Sequence, residues 1–304
     1  LPYYAYDDEV FFSVDGAPLP VAQQRRNAFE ALGELLRTRH RLGRELTAEA
    51  TEGLSDLQFT ARYRVPFQFS QRVRETLGGD VFVTSTSGMT VRDTDGNQAF
   101  DLTGSYGVNV FGNDFYKGCI ERGSAAVREL GPVLGALHPV VIDNVRRLRA
   151  ISGMDEISFH MSGTEAVMQA VRLARYHTRR RYAVRFCGAY HGWWGDVQPG
   201  TGNPLIARDT LTLHDMSESA LRVLQHRQDI ACVLVNPLQG LHPNRGAPAD
   251  SALIAARGSY SFDREAYAAW LQRLRQICDQ RGIALILDEV FLGFRLAPGG
   301  AQEY

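Results

Sequence analysis

Five apolar residues, Ile283-Ala284-Leu285-Ile286-Leu287, run directly into Asp288, Glu289 and Val290. A short unbroken apolar run predicts a fully buried parallel strand with the acids at its carboxyl edge, where open α/β sheets bind ligands. A carboxylate at the end of a dry strand costs free energy unless a cation or hydrogen-bond donor meets it. A protonated pyridine nitrogen is one such partner. The bland alternative is a helix cap followed by a surface acid. Against it, five preceding apolar residues leave at least one of the two acids hard to solvate.

Two further stretches follow predicted strands. Met161-Ser162-Gly163-Thr164-Glu165-Ala166 comes after Ile157–His160 and opens a helix whose apolar stripe is Val167, Ala170, Val171 and Ala174. Free N–H groups at that helix start, with the Ser162 and Thr164 hydroxyls, make a phosphate site, and Gly163 permits close approach. An ordinary helix cap is the competing reading, and for this stretch alone the stronger one. Cys187-Gly188-Ala189-Tyr190-His191-Gly192-Trp193-Trp194-Gly195 comes after Ala183–Phe186 and presents flat aromatic faces between glycines. A ligand ring can stack there at low entropic cost. Core or interface packing is the commoner fate of tryptophan and competes for Trp193 and Trp194, and His191 by itself reads as structural. No second histidine stands at metal-binding spacing, which argues against zinc. The three strand ends together point to a phosphate-bearing aromatic cofactor. Its anion would sit on Ser162–Thr164, its ring on Tyr190 and its ring nitrogen on Asp288.

The elements that must position these residues are legible as patterns. Ala22 to Leu42 is helical, with Ala28, Phe29, Leu32, Leu35 and Leu36 at three- and four-residue intervals. Thr90–Asp93 and Gln98–Asp101 flank Asp95-Gly96 and predict a hairpin. Gly104 to Asn113 is a glycine-punctuated loop too apolar for a linker, of the kind that lines sites. From Phe115 helix and strand alternate, which predicts a mainly parallel sheet. Its strands are Ile157–His160, Ala183–Phe186, Ala231–Val235 and Ile283–Leu287; helices run Thr164–Arg179, Ser217–His226 and Arg264–Gln280. Asp215 with Glu218 predicts a capping box, Asp263 an N-cap, and residues 246–261 a surface loop.

Composition bounds the rest. The chain has 304 residues, 44% of them hydrophobic and 22% charged, and a net charge of -1. That is length for one large α/β domain and part of a second, with no electrostatic footprint for nucleic acid or an anionic membrane. The run Arg179-Arg180-Arg181 reads as a solvated helix end. Cys119, Cys187, Cys232 and Cys278 are widely spaced, and the last two read as core thiols of a reducing compartment, here the cytoplasm. No apolar run reaches membrane-spanning length. The chain begins with Leu1 and reads as a piece of a longer protein.

Ser162–Ala166, Tyr190-His191-Gly192 and Asp288–Val290, in this order and spacing, resemble the class III, fold-type I, pyridoxal-phosphate-dependent aminotransferases. The likeness runs from the hairpin Val91–Asp101 to the last residue. Gly293-Phe294-Arg295 through Tyr304 is closest to the glutamate-1-semialdehyde aminomutase branch, and the chain is also similar to the transaminase part of PigE-type enzymes of prodigiosin pyrrole biosynthesis. The resemblance implies an α/β fold with a mainly parallel sheet flanked by helices. Residues 1–110 would be a helical lead and hairpin belonging to a small domain, and 111–304 an incomplete cofactor-binding large domain, the C-terminal part of the fold being absent. It implies that Gly163 and Thr164 hold phosphate, that Tyr190 and Val290 face the ring from opposite sides, that His191 belongs to the cofactor set, and that Asp288 keeps the ring nitrogen protonated. Tyr106 would lie near substrate. It further implies a homodimer acting on a small-molecule amino donor and a carbonyl acceptor.

Three departures bear on activity. Asn236 stands where the family usually has glutamate, which puts a charged role there in doubt and leaves a hydrogen bond open. Trp193 stands where relatives acting on ω-carboxylated substrates carry arginine, so an apolar wall replaces a guanidinium clamp and a hydrophobic acceptor is expected. The only lysine is Lys117, far from the family's anchoring position, which would follow Tyr304. The leading expectation is therefore an aminotransferase of secondary metabolism, such as antibiotic biosynthesis, whose covalent anchor lies outside these residues. An aminomutase and a non-catalytic cofactor-binding scaffold are the alternatives.

Overall fold

The alternation of helix and strand expected after Phe115 is present, although not every strand forms where the pattern placed it. The computed structural model describes residues 8–13, 16–58, 69–78, 81–197, 208–237 and 264–303. These fall into two units, one up to Gly131 and one from Pro132 onward. The surface loop expected at 246–261 and the Asp263 cap lie outside the described residues.

In the first unit, α1 (Leu19–Arg39) and α2 (Arg41–Gly53) replace the single helix expected over 22–42. The break is at His40, whose backbone leaves helical space at φ -122° and ψ 46°. A long-range contact outweighs local propensity there. His40 Nδ1 lies 2.8 Å from Asp93 Oδ2, and the Asp95 carboxylate accepts the N–H groups of Leu42 and Gly43, capping α2. Asp93 and Asp95 belong to an antiparallel meander of β1 (Val83–Ser87), β2 (Thr90–Asp93) and β3 (Gln98–Phe100). Its β2–β3 turn is the expected Asp95-Gly96, with Gly96 at φ +84°. Beyond a helical turn at Gly104–Gly107 comes α3 (Asn113–Val127). Lys117 on α3 gives its ammonium to the Thr86 carbonyl and, at 3.2 Å, to Asp114.

The second unit opens with α4 (Val140–Ser152) and α5 (Gly163–Thr178). After these come β4 (Tyr182–Phe186), β5 (Thr210–Leu213), α6 (Glu218–His226), β6 (Ile230–Val235), α7 (Arg264–Arg281) and β7 (Ala284–Leu287). The strands form a parallel sheet in the order β5-β4-β6-β7. Side-chain alternation gives each face its own core. Val184, Phe186, Val233 and Val235 pack with Leu221, Leu224, Trp270 and Leu274 of α6 and α7. On the other face, Ala183, Cys232 and Leu234 meet Val167, Val171 and Ala174 of α5. Two-sided cover of this sort is what makes parallel strands read as continuous apolar runs.

Four expectations need correction here. Ile157–His160 forms no sheet pairing with any described strand, and Phe159 is 57% exposed. Strand hydrogen bonds are non-local, and an apolar run without a neighbouring edge stays coil. β7 is half-buried rather than fully buried. Its two faces reach the two cores, yet it is the last strand in the order, so its outer edge has no described partner. The cap of α6 is Ser217, which accepts the Ala220 N–H at 3.1 Å, while Asp215 accepts from Met216 instead. Arg180 is no solvated helix end: Nη1 donates to the carbonyls of Ile230, Arg281 and Gly282.

Candidate active site

The first turn of α5 is set by a reciprocal cap. Ser162 Oγ accepts the Glu165 N–H at 3.2 Å, and Glu165 Oε2 accepts the Met161 N–H at 3.0 Å. The cap reading of Ser162 is thus realised, and it does not exhaust the site. The initial N–H groups of any helix lack intrahelical acceptors, so those of Gly163 and Thr164 stay available at the positive end of the dipole.

The loop after β4 is tied to that turn. The Trp193 N–H donates to Thr164 Oγ1 at 3.2 Å. Gly192 has φ +96°, and a Cβ there would lie 2.7 Å from Thr164 Oγ1 and 2.9 Å from Thr164 Cα. No other residue fits that approach. Gly163 is placed in the same way against the segment after β7, since a Cβ on it would stand 3.0 Å from Val290 Cγ2.

Asp288 closes the cluster. Its N–H donates to the Val235 carbonyl at 2.7 Å, extending the β6–β7 pairing by one residue and turning the side chain inward. Asp288 Oδ2 lies 2.8 Å from His191 Nδ1, with the two side chains only 5% and 0% exposed. Oδ1 accepts the Val290 N–H at 3.3 Å. The carboxylate that looked hard to solvate has an internal partner, His191, which the family resemblance placed in the cofactor set without pairing it to Asp288. Asn236 is buried and donates from Nδ2 to the Tyr190 carbonyl at 3.4 Å, so a hydrogen bond does hold where the family usually has glutamate.

The second unit therefore brings together Ser162, Gly163, Thr164, Tyr190, His191, Trp193, Asp288 and Val290. Tyr106 belongs to the first unit, in the turn Gly104–Gly107. A cleft of about 850 Å³ in the second unit lies elsewhere, beside the outer edge of β7, lined by Leu285, Leu287, Glu289 and Phe294 among others. The cluster is an open face rather than a closed pocket: Val290 is 52% exposed and Met161 more so. Sequence reasoning missed Arg185, whose guanidinium runs beneath the loop. The available signal was a lone arginine inside the otherwise apolar strand β4.

Known proteins share this architecture. Residues 70–196 match the family model for aminotransferase class-III. The chain is similar to that family over those residues. A glutamate-1-semialdehyde 2,1-aminomutase of Alkaliphilus oremlandii is 32% identical over 240 residues, which are 73% of this chain and 52% of that protein. A solved transaminase with pyridoxal phosphate bound superposes with a TM-score of 0.58 at 31% identity, covering 73% of this chain and 51% of the other. A glutamate-1-semialdehyde aminomutase from Pseudomonas aeruginosa shares the fold, with a TM-score of 0.63 at 20% identity, over 90% of this chain and 58% of its own. The chain thus spans about half the length of the curated relatives it matches.

The class-III site fits pyridoxal phosphate on three observations. Helix N–H donors stand at one end and a buried carboxylate at the other. Gly163 and Gly192 hold the backbone where a Cβ would intrude. The loop also buries two polar atoms, His191 Nε2 and Trp194 Nε1, without partners among the described residues.

Proposed function

We propose that this chain is the cofactor-binding part of a pyridoxal-phosphate-dependent enzyme that moves an amino group from an amino-acid donor to an aldehyde or ketone. The observation that carries the reading is the convergence of the α5 start, the Tyr190–Trp193 loop and Asp288. When bound, the cofactor supplies an electron sink for a substrate carbanion. The protein's part is to hold and polarise it. Gly163 and Thr164 would take the phosphate on backbone N–H groups, with Ser162 beside them. Tyr190 and Val290 would bound the ring. Asp288 would hold a proton on the ring nitrogen by charge attraction in a dry site, and His191 would keep that carboxylate aimed. Trp193 in place of an arginine favours an uncharged, hydrophobic acceptor of the kind used in secondary metabolism, a prodigiosin-type pyrrole precursor among them.

A homodimer of the cytoplasm completes the proposal. Apolar side chains left exposed in the second unit, Leu134, Leu137, Phe159 and Met161, support a subunit interface. Lys117 is engaged by Thr86 and Asp114 in the first unit, so the cofactor contacts of these residues are non-covalent.

Titration of the purified chain with pyridoxal phosphate and with pyridoxal, read by tryptophan emission, tests the reading. Charge-assisted bonds contribute about 1.5–3 kcal/mol each, so pyridoxal should bind at least tenfold more weakly. Equal binding of both, or no binding, refutes it. Relatives named as aminomutases favour a second reading, intramolecular transfer. Isomerisation of glutamate-1-semialdehyde by the full-length enzyme without an added amino donor would establish it. Borohydride reduction of the full-length protein that leaves no cofactor–lysine adduct would instead favour a non-catalytic scaffold.

A further inference from the structure

Arg185 is the one charged residue of β4, and the register of the strand aims it at the wrong side for solvent. Val184 and Phe186 face α6 and α7, whereas Ala183 and Arg185 face the core shared with α5. The residue is only 9% exposed. No carboxylate pairs with it among the described residues, and burial lowers its pKa from the usual arginine value, with Cys187 opposing the shift. Placing a guanidinium there costs free energy that an apolar side chain of similar size would not incur. What the charge obtains in return is three acceptors. Nε donates to Thr212 Oγ1 at 3.1 Å on β5. Nη1 donates to the Val197 carbonyl at 3.0 Å and, more weakly, to the Ala189 carbonyl at 3.4 Å. Ala189 and Val197 are themselves buried, so their carbonyls need donors.

Those two carbonyls bracket the segment that carries Tyr190, His191, Trp193 and Trp194. We infer that Arg185 is a positioning residue, its guanidinium clamping both flanks of the Ala189–Val197 loop so that Tyr190 and His191 are presented to the ring and to Asp288. The planar guanidinium holds Thr212 through Nε while Nη1 reaches both carbonyls, a spread of acceptors that a single ammonium on a flexible stem does not cover. The outer flank has a second tie, since Arg175 of α5 pairs with Asp196 at 2.8 Å. The inner flank is held by Arg185 at the Ala189 carbonyl and, one residue on, by Asn236 at the Tyr190 carbonyl, so Arg185 is the residue that reaches both flanks.

The clamp itself stands on the geometry; its consequence for cofactor binding rests on the proposed function. Hydrogen exchange by mass spectrometry on the chain without cofactor tests the clamp, comparing wild type with Arg185→Met and Arg185→Lys. We expect exchange across residues 187–197 to rise at least tenfold in both variants, with β6 unchanged. Unchanged exchange in the loop overturns the inference. So does an equal rise in β6, or loss of fold in both variants, which would make Arg185 a plain core residue. Titration with pyridoxal phosphate then reads the consequence: affinity should fall about tenfold in Arg185→Lys. If wild type binds no pyridoxal phosphate, the cofactor reading fails while the exchange result still decides the clamp. If wild type binds and the variant binds equally well, the positioning role is overturned.

Discussion

Replacing Gly192 by alanine should damage this protein far more than the same change three residues later. The added Cβ would meet Thr164 Oγ1 at 2.7 Å and Thr164 Cα at 2.9 Å, and the backbone there holds φ +96°. Thr164 cannot simply yield, because α5 is anchored by Val167 and Val171 in the core. A left-handed backbone costs a non-glycine residue about 1–2 kcal/mol, overpacking about 1–3, and loss of the Thr164–Trp193 hydrogen bond about 1. The whole comes to about 3–6 kcal/mol, against roughly 5–15 for an entire domain. Gly195 supplies the control, since a Cβ there meets nothing within 4 Å. Urea denaturation followed by circular dichroism should show the midpoint of Gly192→Ala shifted strongly downward at similar slope. Gly195→Ala should stay within about 0.5 kcal/mol of wild type. Gly192→Ala behaving like Gly195→Ala would refute the claim that the loop is seated on the start of α5.

Asp288→Asn leaves the buried His191 facing an amide, and should cost about 1–3 kcal/mol of stability and weaken pyridoxal phosphate binding at least tenfold; binding that is unchanged removes Asp288 from the site. Burial alone would raise the Asp93 pKa, but hydrogen bonds from Asn97 and His40 outweigh it and hold the carboxyl below its ordinary value. A depressed pKa gives stability that is complete above the ordinary carboxylate range and is lost as pH falls through the lowered value, so acid melting of the first unit should become less steep in Asp93→Asn. Burial pushes the thiols of Cys232 and Cys278 up to about 12 and about 11, and both should resist a thiol reagent until the chain unfolds, whereas exposed Cys187 reacts at once.

What the sequence made legible was local. The hairpin around Asp95-Gly96 carries its turn chemistry in two residues. α5 has both a cap and a stripe, and β4 and β6 have covered faces that show as apolar runs. What stayed hidden depends on partners distant in the chain. His40 breaks a helix because Asp93 and Asp95 lie beside it, 53 residues on in the case of Asp93. Ile157–His160 has the composition of a strand and no described edge to join. Thr210–Leu213 is short and half-polar, and became β5 through pairing with β4. At the site, residue types pointed to Asp288 and to the α5 start, but nothing in the spacing linked His191 to Asp288 across 97 residues. Asp215 has the residue type of a cap, but the backbone path brings the Ser217 hydroxyl, not the Asp215 carboxylate, to the Ala220 N–H.

The central claim is that the α5 start and Asp288 hold opposite ends of one cofactor. A crystal structure of this chain grown with pyridoxamine phosphate tests it most directly. The account predicts the phosphate on the Gly163 and Thr164 N–H groups, the ring beside Tyr190, and the pyridine nitrogen within hydrogen-bond distance of the Asp288 carboxylate. A phosphate bound away from α5, or a ring nitrogen that does not meet Asp288, would contradict it.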